Sequence, residues 1–260
     1  MSLHNYYWVR YGMLICLLVT GLLYCSPSSS GPSEEKARYT ETDRQWVEQE
    51  AVEIPIPADS GGEAKLTRNF YVIMDGSGSM RETTTRDCGG DQKFPDKMVG
   101  ARWAIKKFLE NVPEDVNIGL YVFDNNGRGE VVPLGGSNRE AFLKAVDDIE
   151  AGGGTPLAHA IRYGTDRLIE QYKKQLGYGE FRLVAVTDGK ARDIPDAALY
   201  AAKYGIPIYA IGLCVGPNHP LRHYSVSYRA ADNFADLSKG LTDTLAELPN
   251  FDVTQFEDKK

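Results

Sequence analysis

The chain has 260 residues, of which 42% are hydrophobic, 10% aromatic and 25% charged; these are ordinary proportions for a folded protein and exclude disorder throughout. The net charge of −7, or −8 once the first 25 residues and their single charge Arg10 are set aside, argues against a nucleic-acid binder that works by neutralising phosphates, while leaving room for a cationic ligand. Four cysteines, no two of them in C-x-x-C spacing, exclude a disulfide scaffold and a zinc ribbon.

Residues 1–25 read as a targeting segment. Tyr11–Tyr24 is an almost uninterrupted apolar run of 14 residues, the length of a signal-peptide core and shorter than the roughly 20 residues that a spanning helix needs. Leu22-Leu23-Tyr24-Cys25, followed by Ser26 and Pro27, resembles the lipobox of bacterial lipoproteins, whose cysteine becomes the acylated first residue. Tyr24 stands where that signal usually carries Gly, Ala or Ser. The resemblance implies an exported chain held to a membrane through lipid on Cys25 and facing the periplasm or the cell exterior. A plain cleaved signal, giving a secreted protein, and a short retained helix are the alternatives. Residues 26–66 follow as a polar tether rich in Ser, Pro, Gly, Glu and Lys, too poor in apolar residues to build a core. Within it Ile54-Pro55-Ile56-Pro57 is extended, because a residue before proline is pushed toward β or polyproline conformations; a partner or the domain edge could hold it.

From residue 67 the pattern becomes regular and predicts one domain over 67–250, with 251–260 as a tail. Phe70–Met74 (FYVIM) is a continuous apolar run, as in a parallel strand buried on both faces. Asp96–Asn111 has apolar residues at helical spacing, and Val116–Phe123 is a second strand. Gly129–Leu134, after the Asn125-Asn126-Gly127 turn, predicts a short strand antiparallel to the second. Ser137 to Glu140 has the spacing of a capping box and opens a helix through Ile149. Thr155-Pro156 starts another, with proline at its first helical position, where it costs no hydrogen bond, and Gly177 ends it. Phe181–Val186, a helix over Pro195–Tyr204, Ile206–Leu213, a short strand near Tyr224–Tyr228 and a helix over Phe234–Leu248 complete the series. This alternation predicts an α/β fold: a doubly wound, mainly parallel sheet with helices on both faces and one short antiparallel edge strand.

Oxygen-bearing residues fall at the carboxyl ends of strands. Asp75, Ser77 and Ser79 follow the first strand, and Asp188 in Thr187-Asp188-Gly189 follows FRLVAV. Thr155, after Gly152-Gly153-Gly154, stands at a helix start on the same edge. In an open parallel sheet that edge is where ligands bind. Two carboxylates and three hydroxyls, with no imidazole or thiolate near them in sequence, suit a hard cation, with Mg2+ first and Mn2+ or Ca2+ as the other candidates.

Asp75-x-Ser77-x-Ser79, Thr155 in Gly-Gly-Gly-Thr-Pro-Leu and Asp188 in Val-Thr-Asp-Gly, in that order and spacing, resemble the metal-ion-dependent adhesion site of von Willebrand factor A domains. The resemblance covers about Thr67 to Leu248. It implies that Ser77 and Ser79 bind the metal directly, that Asp75, Asp188 and Thr155 bind directly or through water, and that the sixth position takes a Glu or Asp carboxylate from a protein partner. The expected protein is thus a monomeric, membrane-tethered recognition domain and not an enzyme. A scaffold subunit with a purely structural metal site is the alternative, and a metal-dependent hydrolase is a remote one: nucleophile-elbow, P-loop and EF-hand patterns are all missing.

Arg81–Phe94 predicts a long loop beside the site, and Lys190 and Arg192 place two cations near Asp188. Cys88 in that loop and Cys214 after IPIYAIGL both belong to the same edge, so a disulfide between them is possible; it would close a loop of more than 120 residues, worth about 4 kcal/mol in the chain-entropy view. His219 and His223 are expected at the surface, since Pro220 between them disfavours the regular helix on which they could bind zinc.

Overall fold

A computed structural model describes residues 52–58, 61–84, 93–189, 191–215, 219–231 and 233–245. The targeting segment with Cys25, the tether up to residue 51, Cys88 and the tail at 251–260 lie outside the described residues. Among the described residues no helix is long and apolar enough to cross a membrane.

The described residues hold six strands and five α-helices, in the order β1 (Arg68–Asp75), α1 (Lys97–Leu109), β2 (Asn117–Asp124), β3 (Gly127–Gly135), α2 (Arg139–Asp147), α3 (Leu157–Lys174), β4 (Glu180–Thr187), α4 (Ile194–Lys203), β5 (Ile208–Leu213), β6 (Ser227–Ala231) and α5 (Phe234–Leu245). They build one sheet in the order β3-β2-β1-β4-β5-β6. Every pairing is parallel except β2 with β3, which joins through a tight turn with an irregular register between Ile118 and Tyr121. The expected antiparallel edge strand is therefore present and somewhat longer than its apolar stretch. The chain winds outward from β1 in one direction and from β4 in the other, so the reversal of strand order falls between these two neighbours.

The period-two alternation of β1 sends its side chains to two cores. Phe70, Val72 and Met74 face α1, α2 and α5, where Ala104, Phe108, Phe142, Phe234 and Leu237 are buried. Tyr71 and Ile73 face α3 and α4 and meet Leu157, Ile161, Leu183, Ala197 and Ala201. With both faces covered, β1 and β4 must be apolar along their length, which is why they read as continuous runs and not as alternating ones.

Local details depart from the sequence expectation at three places. The capping box before α2 is not formed: Ser137 is left-handed, with φ at 56°, and the N-cap is Asn138, which makes no side-chain cap bond. Asn138 Nδ2 instead donates to the carbonyls of Ile118 and Pro133, tying the turn to the sheet. Pro156 is the N-cap of α3 and not its first helical residue. β6 runs over Ser227–Ala231, a few residues later than the strand expected near Tyr224–Tyr228, and follows a 3-10 turn over Pro220–His223.

The end of the tether packs against the domain. The Val52 N–H donates to Lys203 O, at the end of α4, and the Glu63 N–H to Lys174 O, at the end of α3. Ile54 is only 8% exposed and belongs to the α3/α4 core. These contacts lie on the edge where the strands begin, opposite the edge where they end.

Helices α1 and α5 cross at Gly100, where any side chain would collide with the Phe234 ring. Gly100→Ala is expected to lower the unfolding free energy by about 1–3 kcal/mol through overpacking, as measured by chemical denaturation.

Candidate metal centre

The site forms at the reversal of strand order, because β1 and β4 end side by side there. Asp75 is the last residue of β1 and is fully buried; Asp188 immediately follows β4 and is 6% exposed. After Asp75 the chain enters a 3-10 turn over Gly78–Arg81, with Ser77 as its N-cap. The turn aims Ser77 Oγ and Ser79 Oγ at each other, 3.1 Å apart, and Ser79 Oγ donates to Asp188 Oδ1 at 2.6 Å. Asp75 is held from two sides: the Ser77 N–H donates to Oδ1 at 2.8 Å and Thr187 Oγ1 donates to Oδ2 at 2.5 Å.

Glycines allow the three loops to come this close. The Gly78 N–H donates to Gly153 O at 3.1 Å, and the Gly152 N–H to Gly76 O at 2.7 Å, which stitches the glycine-rich loop before α3 onto the loop after β1. A methyl group on Gly76 would lie 2.8 Å from both Asp124 Cβ and Ile149 Cγ2, so no larger residue fits. A methyl group on Gly189 would lie 3.3 Å from Thr155 Oγ1 and 3.8 Å from Asp75 Oδ2, so these two oxygens border one point. All five sequence-predicted residues, Asp75, Ser77, Ser79, Thr155 and Asp188, are therefore on one edge of the sheet, contributed by three separate loops.

The donor set fits a small divalent ion. Neighbouring ligands of an octahedral ion with bonds of about 2.1 Å are about 3.0 Å apart, close to the 3.1 Å between the two serine oxygens. Ser79 sends its one proton to Asp188 and so accepts in its contact with Ser77, which leaves it one further lone pair. Burial pushes the Asp75 carboxyl above the usual carboxylate range, against the bonds from Ser77 and Thr187 that lower it. A carboxylate so placed gains strongly from a nearby cation.

A family model described as the von Willebrand factor type A domain matches residues 69–256. The chain belongs to this family. Relatives include UPF0353 proteins of Mycobacterium ulcerans (strain Agy99), 29% identical over 165 residues that cover 57% of this chain and 46% of the relative, and of Mycolicibacterium vanbaalenii, 26% identical over 207 residues that cover 72% and 58%. The chain thus spans about half the length of the curated relatives it matches. Similar solved structures include the pilus adhesin SpaC of Lactobacillus rhamnosus GG, with 16% identity and a TM-score of 0.53 over 70% of this chain and 31% of that one. A von Willebrand factor type A protein of Catenulispora acidiphila has 20% identity and a TM-score of 0.50 over 68% and 42%. At these identities the structural likeness shows the fold alone.

Within this von Willebrand factor A domain, three residues near the site carried no functional signal in the sequence. Thr187 orients Asp75, as described. Lys97, at the start of α1, is 8% exposed and donates from Nζ to Asp188 Oδ2 at 3.0 Å and to Glu82 Oε2 at 2.6 Å. Burial alone would lower its pKa, but the hydrogen bonds and charges of Glu82 and Asp188 hold it above the ordinary lysine value. His219 is 1% exposed, in contrast to the surface position expected of it, whereas His223 is exposed. Its Nδ1 accepts from the Leu221 N–H, so Nε2 carries the proton and donates to Gly189 O at 2.8 Å; the ring stacks on Tyr228. With both nitrogens satisfied the imidazole can be buried, and it braces the loop that carries Asp188.

The long loop after Ser79 is pinched at its base. The Lys97 N–H donates to Glu82 O and Thr84 Oγ1 to Phe94 O, while residues 85–92 lie outside the described ones. Cys214 is disulfide-bonded, and the other three cysteines all lie outside the described residues. Lys190 also lies outside them. Arg192 is exposed and, with Thr155, Pro156, Ala158 and His159, lines a groove of about 420 Å³ beside the site.

Thr187→Val removes the hydroxyl that Asp75 Oδ2 accepts from while keeping the shape of the side chain. It is expected to lower stability by about 1–3 kcal/mol, the cost of leaving a buried acceptor unpaired, as read by thermal and denaturant unfolding.

Proposed function

We propose that this domain binds a divalent cation, magnesium first, at the edge where β1 and β4 end, and through it recognises a Glu or Asp side chain of a protein partner. The observation that carries this reading is the run of oxygens from Ser77 Oγ through Ser79 Oγ to Asp188 Oδ1, with Asp75 buried behind it. Ser77 and Ser79 would hold the ion directly; Asp75, Asp188 and Thr155 would do so directly or through water. The ion would supply a Lewis-acidic position for one outside carboxylate. Manganese fits the same octahedral geometry, whereas calcium prefers longer bonds and more ligands than this close pair of serines favours.

The groove beside Thr155, lined by both Arg192 and Asp193, would add contacts of mixed charge to a partner. We further propose that the chain is exported and tethered to a membrane through lipid on Cys25, that the domain acts as a monomer, and that Cys88 is the disulfide partner of Cys214.

Calorimetric titration of magnesium and manganese is expected to give saturable binding that Asp75→Ala abolishes, together with metal-dependent capture of a partner, while circular dichroism shows the fold retained. A folded protein that binds neither ion would sink this function. When the chain is expressed with a clickable fatty acid, the label is expected on the wild type and absent from Cys25→Ser; equal labelling of the two would exclude Cys25 as the acylated residue.

A further inference from the structure

Lys97 occupies a position that electrostatics disfavours twice. It is the first residue of α1, so its charge lies at the positive end of the helix dipole, which the Asp96 carboxylate capping the Val99 N–H offsets only in part. It is also nearly buried, which costs an ammonium its hydration. The compensation comes from Asp188, whose side chain is fully buried, and from Glu82, whose side chain is 65% exposed. Asp188 in turn has one oxygen on Ser79 and the other on Lys97. The lysine therefore neutralises one of two buried carboxylates in the centre where the divalent ion is proposed to sit.

We infer that Lys97 is a built-in counter-ion of the metal centre: it holds Asp188 in position while no cation is present, and it sets the affinity for a divalent ion below what the two carboxylates alone would give. This rests on the metal-binding reading above. The physical basis is competition. The ammonium and the ion draw on the charge of the same carboxylate, and they repel each other. At about 6 Å, even the dielectric constant of bulk water leaves the repulsion between a unit and a double charge worth about tenfold in affinity. Lys97 is thus a positioning residue with two separable effects: the metal-free protein needs it, and the metal-bound protein is weakened by it.

The test uses the full chain and its Lys97→Met variant, which keeps the length of the side chain and removes the charge. In the metal-free state Lys97→Met is expected to melt about 5 °C or more below the wild type, since Asp188 loses its partner. The double variant Lys97→Met/Asp188→Asn should regain most of that loss. Titrated with magnesium chloride, Lys97→Met should bind at least about tenfold more tightly than the wild type and gain more melting temperature from the ion. Glu82→Ala, at a side chain that is 65% exposed, leaves Lys97 bonded to Asp188 alone and should weaken magnesium binding severalfold; it decides the matter if Lys97→Met does not fold. Equal affinities in the wild type and the variants, or weaker binding by Lys97→Met, would overturn the counter-ion role while leaving the metal site standing. Absence of magnesium binding in every folded protein would remove the metal reading itself; rescue by Asp188→Asn would then leave Lys97 as a structural partner of Asp188 only, which also overturns the proposal.

Discussion

The parallel pairing of β1 with β4 is the constraint on which everything else depends. These two strands are adjacent although 112 residues separate Asp75 from Thr187, and the chain leaves them in opposite directions. Their pairing sets both cores, since each strand sends alternate side chains to the two helical layers. It also brings the last residue of β1 beside the last residue of β4, where the Thr187 hydroxyl reaches the Asp75 carboxylate across the junction. The sheet register places Asp75 and Thr187, and the three loops that carry Ser77, Ser79, Thr155 and Asp188 gather around that fixed pair.

The same edge shows how buried charge is managed. Asp75 relies on a backbone N–H and a neutral hydroxyl, an arrangement that leaves its negative charge poorly compensated. Asp188 relies on a hydroxyl and an ammonium. Two carboxylates in one small volume thus sit in unequal environments, one deep and hydrogen-bonded, the other ion-paired through a helix start to an exposed glutamate. The inequality arises from position: Asp75 is enclosed between two strands and the glycine-rich loop, while Asp188 lies one residue past its strand, within reach of α1.

Much of this was legible in the sequence because it is written in local pattern. FYVIM and FRLVAV are apolar throughout since both faces of a central strand are covered, and the aspartates, serines and glycines that follow them mark strand ends where tight bends are needed. The glycine-rich stretch before Thr155 was readable for the same reason. The remainder depends on partners remote in sequence. Lys97 resembles any other solvated helix cation until Asp188, 91 residues further on, is placed against it. Thr187 reads as a strand residue of no special chemistry. His219 was expected at the surface because Pro220 disfavours a helical zinc pair with His223, but Gly189 O and the Leu221 N–H satisfy both its nitrogens. The capping box at Ser137 failed because Asn138 found two carbonyls of the sheet, Ile118 O and Pro133 O, that a window of four residues cannot contain.

The attachment of residues 52–66 has a mechanical consequence. Val52 bonds to the end of α4, Glu63 to the end of α3, and Ile54 is sunk among the side chains below the sheet. Tension arriving from the amino-terminal side would therefore be borne first by the Ile54 anchor and those two backbone bonds. Only after they yield would load pass into β1, along its length, toward Asp75. This clasp therefore sets where any such load enters the domain, on the edge opposite Asp75.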